Sequence, residues 1–135
     1  MILIIDANVL ISAAIAKHSI PDQVVRRALL EDVVIRSIST TQELSNSLKK
    51  KKLDRYFRNE YERDLFIHLF LRQSKLIEVT DQVRICRDPK DNQYLELALS
   101  GKADCIVSGD PDLQVLNPYE NIPIISPREF LDRFS

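Results

Sequence analysis

Four carboxylates in this 135-residue chain stand where an apolar run gives way to a segment of helix length. Asp6 directly follows Ile2-Leu3-Ile4-Ile5, and Asp110 follows Cys105-Ile106-Val107 by a short turn. Glu43 and Asp91 each read as part of a first helical turn, in Thr40-Thr41-Gln42-Glu43 and Asp88-Pro89-Lys90-Asp91. Taken singly, each has a structural explanation: Asp6 and Asp110 as N-caps, Glu43 and Asp91 as third-position partners, roles that contribute about 1 kcal/mol. Capping does not require convergence, however. In a parallel α/β sheet the strand ends and the following helix starts lie along one edge, and ligands bind there near the point where strand order reverses. All four acids could meet in that volume. Carboxylates so placed raise one another's pKa unless a cation neutralises them. Hard oxygen donors without histidine or thiolate point to Mg2+ or Mn2+. A carboxylate-bound ion of that kind, keeping several waters, suits phosphodiester hydrolysis, because it activates a water and stabilises the pentacovalent phosphate.

Two neighbours of Asp6 have two readings each. Asn8 could orient a carboxylate or bind a metal water, or it is a turn amide. Ser12, one helical turn on, could face the same site, or it is a small residue against the core. Other chemistries are excluded more firmly. The two glycines, Gly101 and Gly109, lie in no G-x-G-x-x-G or G-x-x-x-x-G-K pattern, which removes glycine-rich phosphate loops. Cys86 and Cys105 form no C-x-x-C, and His18 and His68 are far apart, which argues against zinc.

These residues must be positioned by short β-rich runs alternating with helix-length segments, the pattern of an α/β fold with a mainly parallel sheet. Strands are expected at Ile2–Ile5, Val33–Ser37, Leu76–Val79, Cys105–Val107 and Ile122–Ile125. Helices are expected near Val9–Ala16, Pro21–Leu30, Thr41–Lys51, Asn59–Gln73, Pro89–Ser100, Pro111–Leu116 and Pro127–Phe134. Asp88-Pro89 and Asp110-Pro111 read as helix starts, Ser126-Pro127-Arg128-Glu129 as a capping box, and Gly101 as the left-handed residue closing its helix. With 44% apolar residues and no linker or repeat, the chain is expected to be one domain over residues 1–135. The opening Met1-Ile2-Leu3-Ile4-Ile5 is too short for a signal segment, and no apolar stretch would span a membrane. With two unpaired cysteines, the expected location is the cytoplasm.

Formal net charge is −1, but residues 49–75 carry a local +5 and the remainder −6. Such an asymmetry can mark a polyanion-contacting face beside an acidic site, or a solvated helix face. If the former, Lys49, Lys50, Lys51, Lys52, Arg55 and Arg58, just beyond Glu43, are the candidate substrate contacts. Within Leu65–Leu71 only His68 interrupts a run of apolar residues. That exceeds the stripe one helix buries on one sheet, and the surplus either packs under the Thr41–Lys51 helix or marks an interface.

The motifs themselves resemble a known family. Ile4-Ile5-Asp6-Ala7-Asn8-Val9-Leu10-Ile11-Ser12-Ala13 resembles the opening motif of PIN-domain nucleases. Arg87-Asp88-Pro89-Lys90-Asp91-Asn92, followed by Leu95-Glu96-Leu97-Ala98, is similar to their third-acid motif. Ala103-Asp104-Cys105-Ile106-Val107-Ser108-Gly109-Asp110-Pro111-Asp112-Leu113 is similar to the fourth, and Glu43 stands where the second acid belongs. The resemblance spans nearly the whole chain and extends to a bacterial branch of toxins from toxin–antitoxin pairs (VapC-like). It implies a three-layer α/β/α domain with a five-stranded, mainly parallel sheet. It further implies metal-coordinating roles for Asp6, Glu43, Asp91 and Asp110, a supporting hydroxyl at Ser108, and outer positions for Asp112 and Asp88. The activity implied is a Mg2+- or Mn2+-dependent endoribonuclease acting on single-stranded RNA and leaving a 5′-phosphate and a 3′-hydroxyl. The partners implied are the RNA, an antitoxin protein and a second copy of the chain in a homodimer, with no membrane. Two other readings stand beside it: a structure-specific DNA nuclease, for which the chain lacks a helical arch and duplex-binding insertions, and a low-turnover RNA-binding module, which would have no use for a negative pocket. A response-regulator-like domain would need an acidic cluster that Leu76–Val79 does not supply.

Overall fold

The computed structural model describes residues 1–134. Five strands, β1 (Ile2–Ile5), β2 (Val33–Arg36), β3 (Lys75–Leu76), β4 (Cys105–Val107) and β5 (Ile124–Ile125), form one sheet. Their order is β3-β2-β1-β4-β5, and every pair is parallel. A central parallel strand is covered on both faces and therefore reads as an unbroken apolar run, as β1 does. Its side chains alternate between two cores. Leu3 and Ile5 join Val34, Val107 and Ile125 on one face, while Ile4 joins Ile35, Ile106 and Ile124 on the other.

Helices cover both faces. On the first lie α1 (Ala7–Ile15), α2 (Ile20–Glu31), α3 (Ile38–Leu48), α4 (Glu60–Gln73) and α7 (Pro127–Phe134), contributing Leu10, Val24, Leu48, Phe70 and Phe130 among others. On the second lie α5 (Asn92–Gly101) and α6 (Pro111–Gln114), with Tyr94, Leu95, Leu97, Ala98 and Leu113 buried. The arrangement is the three-layer α/β/α fold with a five-stranded sheet, here parallel throughout. No helix among the described residues is long and apolar enough to cross a membrane.

Several boundaries differ from expectation for identifiable reasons. The capping box of α3 is not Thr40–Glu43 but Ser37 with Thr40: the Ser37 hydroxyl accepts from Thr40 N at 3.1 Å, and the Thr40 hydroxyl from Ser37 N at 2.9 Å. The helix starts earlier, so Glu43 falls in its second turn. It also ends earlier, at Leu48, and Lys51–Tyr56 form a 3-10 turn. The third strand stops at Leu76 rather than continuing to Val79, because its only neighbour, β2, has turned into the α3 cap at Ser37. A single further bond, Ile77 N to Arg36 O at 2.8 Å, ends the ladder. Pro89–Asp91 is likewise a 3-10 turn leading into α5.

Gly101 is not the left-handed residue of α5; Lys102 is, at φ 52°. Glycine is needed at 101 for another reason. A Cβ there would lie 2.4 Å from Ile35 Cδ1, so the bare backbone lets the end of α5 settle on β2. Gly101→Ala is therefore expected to lose stability overall: overpacking costs about 1–3 kcal/mol, against a helix-propensity gain of about 1 kcal/mol. Urea denaturation checks this, and adding Ile35→Val, which removes Cδ1, should restore part of the loss. A Gly101→Ala chain more stable than the parent would overturn the close-approach reading.

Candidate metal centre

β1 and β4 are neighbours, but the chain leaves β1 towards β2 and leaves β4 towards β5. The elements after these two strands therefore diverge, opening a crevice at the carboxyl edge of the sheet. Asp6 sits at its base, 3% exposed. Its Oδ1 caps α1 by accepting from Asn8 N at 3.0 Å, and its Oδ2 accepts from the Ser108 hydroxyl at 2.6 Å. The Ser108 oxygen in turn accepts from Asp110 N at 3.0 Å, and Asp110 Oδ1 caps α6 by accepting from Asp112 N at 2.9 Å. One buried hydroxyl thus ties the ends of β1 and β4 together and fixes two of the acids.

Asp91 comes from the opposite side. The Asp88–Pro89 start turns the chain: Asp88 Oδ1 accepts from Lys90 N at 3.0 Å, and Asp91 N donates to Asp88 O at the same distance. This leaves Asp91 7% exposed with Oδ2 buried and without a hydrogen-bond partner. Asp91, Asp110 and Asp112 each present a carboxylate oxygen, and the three lie within 4.8 Å of one another. Glu43 reaches the same edge from α3, where Gln93 Nε2 donates to its Oε2 at 2.8 Å and the Tyr94 hydroxyl donates to its Oε1. The Tyr94 oxygen also accepts from Ala7 N at 3.1 Å, so the second acid is linked to the residue after the first.

The electrostatics follow from this crowding. Burial raises the pKa of Asp6, opposed by the bonds from Ser108 and Asn8 and reinforced by the charges of Glu43 and Asp110. Asp91 is pushed up to about 7, first by burial, then by the facing Asp110 carboxyl, with Asp88 and Asp6 adding. The Tyr94 hydroxyl is raised too, by burial and by Asp6 and Glu43, and stays protonated as a donor. Burial lifts the Cys86 thiol to about 11 and Cys105 to about 12, so neither is a thiolate nucleophile near neutral pH.

The structure thus brings Asp6, Glu43, Asp91 and Asp110 to one edge, with Ser108 between two of them and Asp112 beside a third. Asn8 contributes its backbone N–H, while the residue is exposed. Ser12 is half-buried in α1, and no contact joins its hydroxyl to the acids among the described residues. Asp88 is an exposed cap. Lys49–Lys52, Arg55 and Arg58 are exposed and lie beyond the end of α3. Even Lys49 is six residues past Glu43, roughly 9 Å along a helix. The cation nearest the cluster is Arg87, whose Nη1 is 3.9 Å from Asp112. Gln93 and Tyr94 escaped the sequence reading. The available signal was a tyrosine in the otherwise apolar core face of α5, where a buried hydroxyl requires a partner.

An acidic oxygen cluster with an orphaned buried carboxylate oxygen is consistent with a metal site. Comparison with known proteins agrees with the geometry. The family model for the PIN domain matches residues 3–112. An uncharacterized protein of Methanocaldococcus jannaschii, MJ1680, is 32% identical over 140 residues, covering 97% of this chain and 90% of that one. Among solved structures, VapBC2 from Rickettsia felis bound to a DNA fragment from its promoter superposes with TM-score 0.63 at 15% identity, over 93% of this chain and 98% of that chain. PAE2754 from Pyrobaculum aerophilum gives TM-score 0.63 at 18% identity, over 97% and 87%.

The raised Asp91 gives a pH dependence. Its carboxyl titrates at about 7 in the fold and near 3.8 when unfolded, so between those values the fold binds the extra proton. In chelator, stability from this group is present below the lower value and is lost as pH rises through the upper one. Asp91→Asn, which cannot ionise, should flatten that decline, as chemical denaturation over the same pH range measures. A parent slope no steeper than the variant's would show that Asp91 is not held as a crowded acid.

Proposed function

The chain belongs to the PIN-domain family, whose members are typically nucleases, and from that membership we propose that it is a Mg2+- or Mn2+-dependent endoribonuclease of single-stranded RNA. The observation that carries the reading is Asp91, whose Oδ2 is buried without a donor and whose carboxylate clusters with those of Asp110 and Asp112. Inside a folded protein such an oxygen requires a proton or a cation. The three clustered side chains are all carboxylates, which suits a hard divalent ion.

In this reading Asp6, Glu43, Asp91 and Asp110 hold the ion, with Asp112 as an auxiliary acid. The bound ion supplies an activated water and offsets charge on the phosphate. The chain supplies the rest. Ser108 aims Asp6 and opposes the upward pKa shift that burial imposes, the Asn8 and Asp112 amides fix the rotamers of Asp6 and Asp110, and Gln93 and Tyr94 fix both oxygens of Glu43. Hydrolysis would add one water across the P–O3′ bond, its oxygen going to phosphorus and one of its protons to the departing O3′, to leave a 5′-phosphate and a 3′-hydroxyl. We read residues 1–135 as one nuclease domain.

Asparagine caps a helix about as well as aspartate, so Asp6→Asn and Asp110→Asn separate the two roles of these residues. Both variants should fold, and both should lose several orders of magnitude in RNA cleavage. Cleavage by the parent should stop in chelator and return with Mn2+. Undiminished cleavage in excess EDTA would sink the mechanism.

We further propose that the chain is the toxin of a toxin–antitoxin pair and forms a homodimer. Support comes from the similar structure, which is a VapBC2 complex, and from the apolar surface of α4. Part of that surface is core: Phe70 is buried, and Phe66, Ile67 and Leu71 pack against it. Leu65 and Leu69 remain exposed, at 40% and 46%, and with Leu30 line a cleft of about 770 Å³ between α2 and α4. Light scattering should show a dimer. Leu69→Asp should give a folded monomer and Phe70→Ser an unfolded chain. A monomeric parent would overturn the dimer.

A further inference from the structure

We propose that the cavity between segment 83–90 and the first half of α5 is a nucleotide-binding subsite that seats the RNA residue next to the scissile phosphate. The inference rests on the endoribonuclease reading and deepens it by naming where the strand lies. The space is an open groove of about 650 Å³, with Ser39, Arg84, Pro89 and Lys90 exposed along it.

Its walls are nonetheless fixed, not formed by a loose loop. Residues 83–88 have no regular structure, yet α5 holds their backbone at three points. Val83 N donates to Glu96 Oε2 at 3.0 Å, and Ile85 N and Cys86 N donate to Asn92 Oδ1 at 3.2 and 3.0 Å. Ser39, in the first turn of α3, forms the facing rim.

The cavity also adjoins the acids directly. Gln93 lines it and at the same time donates to Glu43, while Pro89 and Lys90 line it and lead into Asp91. Cys86, another lining residue, is within electrostatic reach of Asp91, Asp110, Asp112 and Asp88. A chain whose phosphate stands at the acidic cluster has its next nucleotide here.

The lining matches that occupant. Arg84 and Lys90 are exposed cations at the rim, suited to backbone phosphate. Val83 and Pro89 give an apolar wall for a base or sugar. Among the described residues Asn92 Nδ2, Gln93 Oε1 and the Ser39 hydroxyl have no partner and can meet base edges or a 2′-hydroxyl. Glu96 spends one oxygen on Val83 N and leaves the other as an acceptor. The path thus runs over Arg84 and Lys90, whereas the expected basic run at Lys49–Arg58 lies past the far end of α3.

The test measures binding of a fluorescein-labelled RNA octamer by anisotropy in Ca2+, which takes the same hard oxygen ligands, with the RNA checked intact on a gel. The double variant Arg84→Gln/Lys90→Gln should reduce the slope of log K against log salt by about 1.4, two contacts at about 0.7 each for a single strand. Ser39→Glu places a negative charge at the rim and, in the first turn of α3, favours the helix, so it should fold and weaken binding about tenfold, roughly 1.4 kcal/mol. Lys50→Gln/Lys51→Gln should leave the slope unchanged. Parent-like binding in both cavity variants, no RNA binding by the parent, or slope loss confined to the Lys50/Lys51 variant would overturn the subsite. Cavity-dependent binding without cleavage in Mn2+ would leave the subsite standing and remove the nuclease reading.

Discussion

Carboxylates that share a buried volume repel one another, and at the carboxyl edge of this sheet they are held together by hydrogen bonds rather than by opposite charge. The Ser108 hydroxyl is central to that arrangement. It donates to Asp6 and accepts from Asp110 N, so the two strands flanking the crevice cannot separate without breaking it. Local capping fixes Asp6 and Asp110 from the other side. Asp91 receives less: one oxygen is buried without a partner and its pKa is elevated, which is consistent with a metal site.

Helix α5 links most of the remaining parts. Its apolar face is the core of the second layer, with Leu95, Leu97 and Ala98 fully buried against Ile4, Ile35 and Ile106. Its polar side chains then reach in two directions. Gln93 and Tyr94 hold Glu43 and the start of α1, and Asn92 and Glu96 hold segment 83–90. At its other end Gly101 packs closely on Ile35 of β2. A site supported this way is preorganised by the core rather than by a mobile loop.

The charge distribution acquires a spatial meaning only in the fold. The excess positive charge of residues 49–75 is concentrated at the turn between α3 and α4. There Arg63, buried, pairs with Asp54 at 2.6 Å and stacks over Phe57, while Lys49–Lys52, Arg55 and Arg58 stay exposed. Arg87, by contrast, stands 3.9 Å from Asp112 beside the acids. At physiological salt, screening over about 8 Å makes proximity more important than the count of charges.

The α/β class, the approximate strand positions and the candidate acids were legible in the sequence from local pattern: unbroken apolar runs for buried parallel strands, and Asp-Pro starts for helices. Legibility failed wherever a second segment decides the outcome. The α3 cap moved to Ser37 because Ser37 and Thr40 satisfy each other, which displaced Glu43 by a turn. The third strand shortened because β2 ran out of backbone to offer, and Gly101 proved to be a contact glycine because of Ile35. Tyr94 carried no motif; its role exists only where α1, α3 and α5 meet. The sequence by itself thus determined which residues could hold charge and which elements would present them. The tertiary structure decided which acids face one another, which hydroxyls restrain them and which cations stand close enough to matter. The physical reason is that capping and periodicity act over a few neighbouring residues, whereas burial, pKa and charge proximity depend on contacts between segments up to a hundred residues apart in the chain.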